Sequence, residues 1–280
     1  MMKKHFLHFF AWLVTLAGVA LFATAAHAQS FDHSHAALTA LLKKHVVLID
    51  GGKATKVKYA ELKKEQAQLK TYLDSLSAVR EADFNAWSKP QRMAFLINAY
   101  NGFTLDLILQ NHPVKSIKDI GGVFDNRWKR KYFKLFGQEW FLDKIEHDTL
   151  RKPGAYNEPR VHFAVNCASI GCPALREEAF TADKLDKQLE EQAVRFLSDR
   201  SRNRYANGKL EVSRIFEWFK ADWESGYTGF DGKTPAIKSR EEYFARYAKL
   251  LSDNAADQQA IAGGKASIGH LEYDWSLNGN

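Results

Sequence analysis

Apolar residues recur at helical spacing soon after residue 30. Leucines and alanines at intervals of three and four residues predict two helices, over 35–44 and 59–76. Between them, Asp50-Gly51-Gly52 is typical of a tight turn, because glycine adopts the positive φ angles that such turns need. Residues 31–76 are therefore predicted to form a helical lead-in to the rest of the chain.

The strongest helical pattern runs over residues 89–110. Ser88 and Gln91 stand at the spacing of a capping box, and Pro90 between them suits the first turn of a helix. Apolar residues follow around most of the helical circumference, so we expect this helix to be buried. His112-Pro113 is expected to end it.

The next segment has the pattern of short strands. Aromatic residues over 128–142 predict a hairpin with Gly137-Gln138 as its turn. Asp143 and Glu146 resemble a capping box, which predicts a short helix directly after the hairpin. Residues 161–166 alternate between apolar and polar side chains and predict a half-buried strand.

The remaining pattern alternates between helices and short strands. It predicts helices over 181–197, 213–223 and from 239 onward, and strands over 209–212 and 271–277. A regular strand-helix-strand rhythm is absent from the sequence pattern, which favours an α+β fold over a doubly wound sheet. We therefore predict a single domain over residues 29–280, with helices packed around a small, mostly antiparallel sheet.

The first residues have the pattern of a secretory signal peptide. Lys3 and Lys4 precede an uncharged apolar run over 9–26, and Ala26-His27-Ala28 matches the small-residue form of a cleavage site. We predict a signal peptide over 1–28 and a periplasmic or secreted protein; an uncleaved membrane anchor is the alternative. Residues after it contain no second apolar run of membrane-spanning length, so we do not expect them to cross a membrane.

Composition changes this picture little. The chain has 280 residues, of which 45% are apolar, 26% charged and 13% aromatic, values typical of ordinary globular domains. They exclude collagen-like, low-complexity and disulfide-scaffold proteins. The formal net charge is +7, and loss of Lys3 and Lys4 with the signal peptide leaves a mild excess that suits a solvated basic face. Export makes a nucleic-acid partner unexpected.

Two asparagines interrupt the apolar pattern of the helix predicted over 89–110. Asn98 and Asn101 are three residues apart, so they share one face of it. A buried amide needs hydrogen-bond partners, and two interpretations are open. The asparagines clamp neighbouring backbone, or they line a polar binding site.

A second polar group follows the hairpin. Glu146 and His147 lie near the start of the predicted short helix, and Arg151 lies one turn beyond His147. Neighbouring helical residues project in different directions, so we do not expect Glu146 and His147 to pair directly. His147 is a candidate general base and Arg151 a candidate anchor for a substrate carboxylate. The alternative is a capping glutamate beside a surface histidine.

The third polar group contains both cysteines of the chain. Arg160 and His162 lead into a turn of small residues that holds Cys167 and Cys172. A thiol nucleophile needs an exposed turn, backbone N–H donors and a nearby base. Cys167 is therefore a candidate nucleophile, with His147 or His162 as its base.

Two other interpretations of the cysteines are open. An exported chain normally oxidises an even pair, and a Cys167–Cys172 disulfide would close a tight loop. Alternatively, Cys167, His162, His147 and Glu146 are all residue types that bind zinc. No closely spaced pair of ligands in the sequence supports the zinc interpretation, which ranks last. We expect no metal and no cofactor.

Together these motifs resemble a family of bacterial and plant domains known as domain of unknown function 547 (DUF547). The matching motifs are Phe95 to Asn101, Ile145-Glu146-His147 with Leu150-Arg151, Pro159 to Ser169 with Gly171-Cys172-Pro173, and Ile215-Phe216 with Trp218-Phe219 and Asp222-Trp223. The core of the resemblance covers residues 87–223, and the flanks over 33–76 and 273–278 are also similar. The resemblance implies as site residues Asn98, Glu146, His147, Arg160, His162 and Cys167. The chain departs from the family pattern at Asn166, where an apolar residue is more usual.

Two hypotheses of function follow. In the first, the protein is an exported, thiol-dependent hydrolase or transferase that acts on peptide-like or amide substrates. The expected roles are Cys167 as nucleophile, His147 as base, Glu146 or Asn98 as orienting group, Arg151 or Arg160 as carboxylate anchor, and Asn101 and His162 as further binding residues. In the second, it is a non-catalytic envelope module that binds a small ligand or partner and is stapled by a disulfide.

Overall fold

A computed structural model describes residues 31–122, 126–230, 232 and 235–279. The described residues form twelve α-helices, seven short strands and several single helical turns, which confirms the predicted α+β class. The predicted signal peptide over 1–28 lies outside them. Residues from Phe31 onward cluster as one compact unit, and no helix within the described part is long and apolar enough to cross a membrane.

The lead-in is helical, as predicted, but it also contains a hairpin. Its elements are α1 (Ala36–His45), β1 (Val46–Ile49), β2 (Ala54–Val57), α2 (Tyr59–Lys64) and α3 (Gln66–Ser77); α4 (Glu81–Ala86) follows it. β1 and β2 pair antiparallel across the predicted turn at Asp50-Gly51-Gly52, with Val46 opposite Val57. The helix predicted over 59–76 is two helices, because the backbone of Glu65 leaves the helical conformation (φ −109°, ψ 18°).

The helix α5 (Lys89–Asn111) runs through the core, and its predicted capping box is present. The Ser88 hydroxyl accepts the Gln91 N–H at 3.4 Å, and the Gln91 side chain accepts the Ser88 N–H at 2.9 Å. Every residue from Met93 to Leu105 is buried, as the apolar pattern predicted. α2, α3 and the segment over 142–150 pack against this helix.

β3 (Phe133–Leu135) and β4 (Gln138–Trp140) form the predicted antiparallel hairpin. Its turn is Phe136-Gly137, one residue earlier than predicted. Both turn residues have positive φ angles, 54° and 74°, as the type I′ hairpin turn requires.

The hairpin leads into α6 (Leu142–Ile145), and the predicted capping box there is wrong. The helix begins without a side-chain cap, and Asp143 already lies inside its first turn. After α6, one turn of π-helix spans Glu146–Leu150. The Arg151 N–H closes that turn by donating to the Glu146 carbonyl at 2.9 Å.

The segment over 161–166 is not a strand, so this prediction is wrong. Pro159–Phe163 forms a 3₁₀ turn, in which the Glu158 carboxylate accepts the Arg160 N–H at 3.1 Å. Pro159 suits the first position of a helical turn because it has no N–H to satisfy there. All residues over 161–166 are buried, so the alternation of apolar and polar side chains does not mark an exposed face.

The second half of the chain combines helices with a three-stranded sheet. Its elements are α7 (Leu185–Leu197), β5 (Arg204–Ala206), β6 (Lys209–Ser213), α8 (Ile215–Trp218), α9 (Lys220–Trp223), α10 (Arg240–Arg246), α11 (Ala248–Leu251), α12 (Ala255–Ala262) and β7 (Ser267–Leu271). β6 pairs antiparallel with β5 and parallel with β7. The predicted N-cap of α10 is present, because the Ser239 hydroxyl accepts the Glu242 N–H at 3.1 Å.

Three predictions in this half need correction. The helix predicted over 213–223 breaks at Phe219 into α8 and α9. α7 begins four residues later than the predicted start at 181. The strand predicted over 271–277 is wrong, because β7 ends at Leu271 and the described tail beyond it makes only isolated bridges, from Leu277 to Ser169 and from Gly279 to Val57.

Two clusters of buried apolar side chains form the core. The larger surrounds α5, and the smaller contains Phe216 and Trp223. Phe163 belongs to the smaller cluster, while Val161 and Val165 belong to the larger one. The 3₁₀ turn over 159–163 therefore lies where the two clusters meet.

Candidate functional site

A cavity of about 280 Å³ lies at this junction. Its ionisable lining residues are Asp143, Glu146, His147 and His162. Its aromatic lining residues are Tyr100, Trp128, Trp218, Phe219, Tyr273 and Trp275. Cys167 and Cys172 form another part of the wall. The cavity therefore brings together four of the residues predicted from sequence: Glu146, His147, His162 and Cys167.

The π turn carries Glu146 and His147 to the cavity. Its backbone hydrogen bond spans five residues, from Glu146 to Arg151, so the turn is wider than a turn of α-helix. His147 Nδ1 lies 3.9 Å from Glu146 Oε1, and His147 Nε2 lies 3.6 Å from Asp143 Oδ1. Both distances exceed hydrogen-bond length, so Glu146 and His147 do not pair directly.

Burial changes the acidity of groups around Glu146. It raises the pKa of Asp143; His147 opposes this effect and the charge of Glu146 adds to it. Burial also raises the pKa of Tyr100 well above its ordinary value, and the Glu146 carboxylate contributes. Tyr100 is thus a neutral hydroxyl, and Asp143 takes up a proton more readily than an exposed aspartate does.

His162 is fixed from two sides. Its Nε2 lies 2.7 Å from Asp222 Oδ2, and its ring stacks on Phe219 with centroids 4.0 Å apart. Burial lowers the pKa of His162, although Asp222 opposes that effect. Burial would raise the pKa of Asp222, but hydrogen bonds from His162 and Arg151 outweigh it and hold the pKa at about 2. His162 is therefore a neutral, oriented imidazole beside an ionised carboxylate.

The two candidate arginines are bonded to carboxylates of the protein. Arg151 Nε donates to Asp222 at 2.5 Å, and Arg151 Nη1 lies 2.8 Å from His147 Nδ1. Arg160 is buried, and its guanidinium binds the carboxylates of Glu158, Asp186 and Glu190. Neither arginine lines the cavity. Arg151 positions two residues of the site, whereas Arg160 belongs to a separate ion-pair network.

Asn98 and Asn101 clamp backbone, which was one of the two open interpretations. The Asn98 amide donates to the Phe180 carbonyl at 2.8 Å and accepts the Phe180 N–H at 2.9 Å. Asn101 donates to the Ala164 carbonyl at 2.9 Å and accepts the Asn166 N–H at 2.8 Å. Both side chains are buried outside the cavity lining, so the contacts give the predicted binding role no support.

Cys167 and Cys172 are joined in a disulfide, with their Cα atoms 6.4 Å apart. The Cys167 N–H donates to the Cys172 sulfur at 3.1 Å. The hydroxyls of Ser169 and Tyr273 lie 3.2 Å and 3.3 Å from the Cys167 sulfur. Of the three interpretations of the cysteines, the disulfide is the one present. In this state Cys167 has no thiol to act as a nucleophile.

The hydrogen bonds of the Asn166 side chain give a structural reason for an amide at this position, where the family resemblance led us to expect an apolar residue. The Asn166 side chain accepts the Ala168 N–H at 2.8 Å and donates to the Pro173 carbonyl at 2.8 Å. An apolar residue offers neither bond, so the amide closes the loop over 167–172 from inside. The C-terminal tail holds the same loop from outside, because the Gly171 N–H donates to the Asp274 carbonyl at 2.8 Å.

Sequence reasoning missed several residues of the site, among them Asp222, Tyr273 and Trp275. Asp222 fixes His162, and Tyr273 and Trp275 form part of the cavity wall. Asp222 stands in the last of the family motifs, and the two aromatic residues stand in the flank that also resembles the family. Those resemblances were the available signals. The spacing of these residues along the sequence did not indicate which side chains they would contact in the folded protein.

A zinc site formed by Cys167, His162, His147 and Glu146 finds no support in the geometry. Within the part of the chain that the structure describes, no group of three or more His, Cys, Asp or Glu side chains is arranged to hold a metal ion. Cys167 is also engaged in the disulfide.

Comparison with known proteins gives one match. Residues 84–197 match the family model described as "Protein of unknown function, DUF547". No curated protein and no solved structure matches the chain. The matched segment includes Glu146, His147, His162 and Cys167, whereas the cavity residues after 197 lie outside it.

Proposed function

Because residues 84–197 match the DUF547 family model, we propose a function for the cavity that these residues largely line. We propose that the protein binds a small organic or peptide-like ligand there, with the Cys167–Cys172 disulfide as a structural part of the wall. The observation that carries this proposal is the cavity of about 280 Å³, in which aromatic rings surround a few ionisable groups.

The composition of the wall supports ligand binding. Small-molecule sites are concave and mostly apolar, with a few polar groups that fix orientation. Trp218 is 44% exposed and belongs to this wall, so an apolar surface is open to solvent where a ligand would enter. The disulfide and the tail hydrogen bonds hold the wall in place before a ligand arrives, which reduces the entropy cost of binding.

We also propose that binding takes place outside the cytoplasm. The leader pattern over 1–28 supports export, and a disulfide is typical of oxidising compartments. A nucleic-acid partner fits the cavity poorly, since none of its lining residues in the described chain is Lys or Arg.

A fragment screen tests the binding proposal. We expect small aromatic and amide fragments to quench tryptophan fluorescence and to shift NMR signals of cavity residues. Trp218→Ala is expected to weaken binding about tenfold or more, because stacking and burial against this ring are lost. Val194→Ala is the matched control, since Val194 is a similarly exposed apolar residue outside the cavity. Fragments that bind only elsewhere would overturn the proposal.

Thiol catalysis is a second candidate function, favoured by one observation. Cys167, His147 and Glu146 line the same cavity. An external dithiol would supply two electrons to open the disulfide. His147 would take the proton of the Cys167 thiol, the thiolate would attack an amide carbonyl, and the amine would leave with that proton from His147. Water would hydrolyse the thioester and restore the thiol.

Intact mass and alkylation test this second candidate. Under a dithiol, thiol catalysis requires Cys167 to alkylate rapidly well below the ordinary thiol pKa of about 8.5. It also requires amide hydrolysis that Cys167→Ser abolishes and Cys172→Ser retains. Equal activity of the Cys167→Ser variant would exclude it, as would slow alkylation of both thiols.

A further inference from the structure

We propose that the cavity selects an organic cation, an alkylammonium group held between the carboxylates of Asp143 and Glu146 and the tryptophan-rich wall. The inference rests on the proposed binding function and names the chemical class of the ligand. Two independent features of the cavity support it: two nearly buried carboxylates without a Lys or Arg ion-pair partner among the described residues, and aromatic faces of the kind that bind cations.

The negative charge of the cavity comes from two carboxylates that are nearly buried. The side chains of Asp143 and Glu146 are only 15% and 9% exposed, so water screens them poorly. In the described chain, neither forms an ion pair with Lys or Arg. Among the described residues, their ion-pair contacts are with histidine rings alone: 3.6 Å to His147 from Asp143, and 3.9 Å to His147 and His162 from Glu146.

The nearby basic groups offset this charge only in part, because the pKa of Asp143 is raised by burial in spite of His147 and Lys129. Arg151 is bonded to Asp222, and Lys129 acts on Asp143 through its charge without forming an ion pair with it in the described chain. His162 is neutral, because burial lowers its pKa. Two poorly solvated carboxylates therefore face the cavity, and buried charges of this kind are stabilised by a counter-charge.

The aromatic side chains of the wall supply ring faces that attract a cation. Trp218 and Trp275 stack with centroids 5.8 Å apart, and Tyr273 lies 4.6 Å from Trp275. Trp128 meets the other side of this group, 5.7 Å from Trp275. A cation is attracted to the face of an aromatic ring, and most strongly to tryptophan.

One ring of the wall already binds a cation. The Lys118 ammonium lies 3.9 Å from the centroid of Trp275. This contact is a cation–π interaction of the kind the proposal requires, and it occupies that face of Trp275. The cavity volume of about 280 Å³ is at the small end for ligand sites, which suits one alkylammonium head group.

A pair of probes of equal shape separates charge from size. Choline and its neutral carbon analogue 3,3-dimethylbutanol differ in charge but hardly in volume. We expect isothermal titration calorimetry to show choline binding at least about tenfold more tightly to the full chain. Tetramethylammonium is expected to compete with choline.

Substitutions locate the effect. Glu146→Gln and Asp143→Asn are each expected to weaken choline binding several-fold and to leave binding of the neutral analogue unchanged. Glu139→Gln is the charge-matched control, because this carboxylate is 65% exposed on β4 and lies outside the cavity. Thermal melts verify that each variant is folded. Trp218→Ala provides a second variant that perturbs the fold little, because Trp218 is partly exposed.

The outcomes distinguish this inference from the binding proposal beneath it. Equal affinity for choline and its neutral analogue would overturn the charge selection while leaving a binding cavity. If neutral fragments bind in the cavity and choline does not, the charge selection is likewise overturned and the binding cavity remains. If neither cations nor fragments bind there, both proposals fail.

Discussion

His35 shows at the residue scale how burial turns a side chain into a pH-dependent stability element. Its Nδ1 lies 2.7 Å from the Tyr72 hydroxyl, and its Nε2 is buried without a hydrogen-bond partner. Burial lowers its pKa to about 4, with the neighbouring His33 adding to the effect and Asp32 opposing it. In the unfolded chain a histidine titrates near 6.5, so acid protonates the unfolded state first.

The sign of the pH dependence follows from that difference. The stability that neutral His35 contributes is fully present above about pH 7, and it is lost as pH falls from 6.5 towards 4. We expect the free energy of unfolding to be about 2 kcal/mol lower at pH 5 than at pH 7.5 through this residue. His35→Asn keeps a side chain that tolerates the left-handed backbone at this position (φ 49°).

Urea denaturation at several pH values measures this effect. The loss between pH 7.5 and pH 5 should be smaller in His35→Asn than in the unaltered protein, because the titrating group is gone. Losses of equal size in the two proteins would contradict the assignment to His35.

Residue types in the sequence predicted which side chains could belong to a site better than they predicted what each side chain contacts. The sequence pointed to Glu146, His147 and His162, and all three line one cavity. It also pointed to Arg160, whose guanidinium instead binds three carboxylates of the protein. A residue type limits which partners are chemically suitable, but tertiary packing decides which of them is near.

At the element scale, the clamp made by Asn98 ties α5 to the segment that precedes α7. Asn98→Ala removes two hydrogen bonds and leaves the buried N–H and C=O of Phe180 unpaired. We expect a loss of about 3 kcal/mol in the free energy of unfolding, since each orphaned group carries a desolvation penalty. The melting temperature should fall by several degrees.

A second asparagine of the same helix is the control. The Asn111 amide donates only to the Leu107 carbonyl, at the partly exposed end of α5. Asn111→Ala should therefore cost well under half as much, measured by the same urea titrations. Similar losses for the two variants would show that the clamp to Phe180 is not the source of the stability.

Helices marked by residues close together in the sequence were predicted well. Segments whose conformation depends on tertiary contacts were not. The capping box of Ser88 and Gln91 needs only residues close in sequence, and α5 begins where it indicates. The segment over 161–166 has the alternation of a strand, yet both of its faces are buried between two clusters of the core. Pro159 and the Glu158 cap then favour a 3₁₀ turn over an extended chain.

At the scale of the whole molecule, the cavity depends on segments that are distant along the chain. Tyr100 lies on α5, His162 on the 3₁₀ turn, and Trp275 in the C-terminal tail. Sequence patterns report local structure, so they gave no reason to join the tail to the loop of Cys167. A side chain from the lead-in holds that tail, because the Tyr59 hydroxyl donates to the Asn278 side chain at 2.7 Å.

The tail thereby connects the lead-in to the cavity. The Val57 N–H donates to the Asn278 carbonyl at 2.9 Å, and Gly279 lies so close to the Tyr59 ring that an added Cβ would clash. Further along, the Ile170 N–H donates to the Ser276 carbonyl at 2.8 Å. A change at Tyr59 should therefore reach the loop of the disulfide through the tail.

Tyr59→Phe tests this connection because it removes one hydroxyl and preserves the ring. We expect the free energy of unfolding to fall by about 1 kcal/mol, as one buried hydrogen bond is lost. We also expect hydrogen exchange at the amides of Ile170 and Gly171 to accelerate, since the tail carbonyls that protect them are held less firmly. Tyr72→Phe is the matched control: it loses a buried hydroxyl bonded to His35, away from the tail. Faster exchange in both variants would reflect general destabilisation, whereas acceleration in Tyr59→Phe alone would establish that the lead-in supports the cavity wall through the tail.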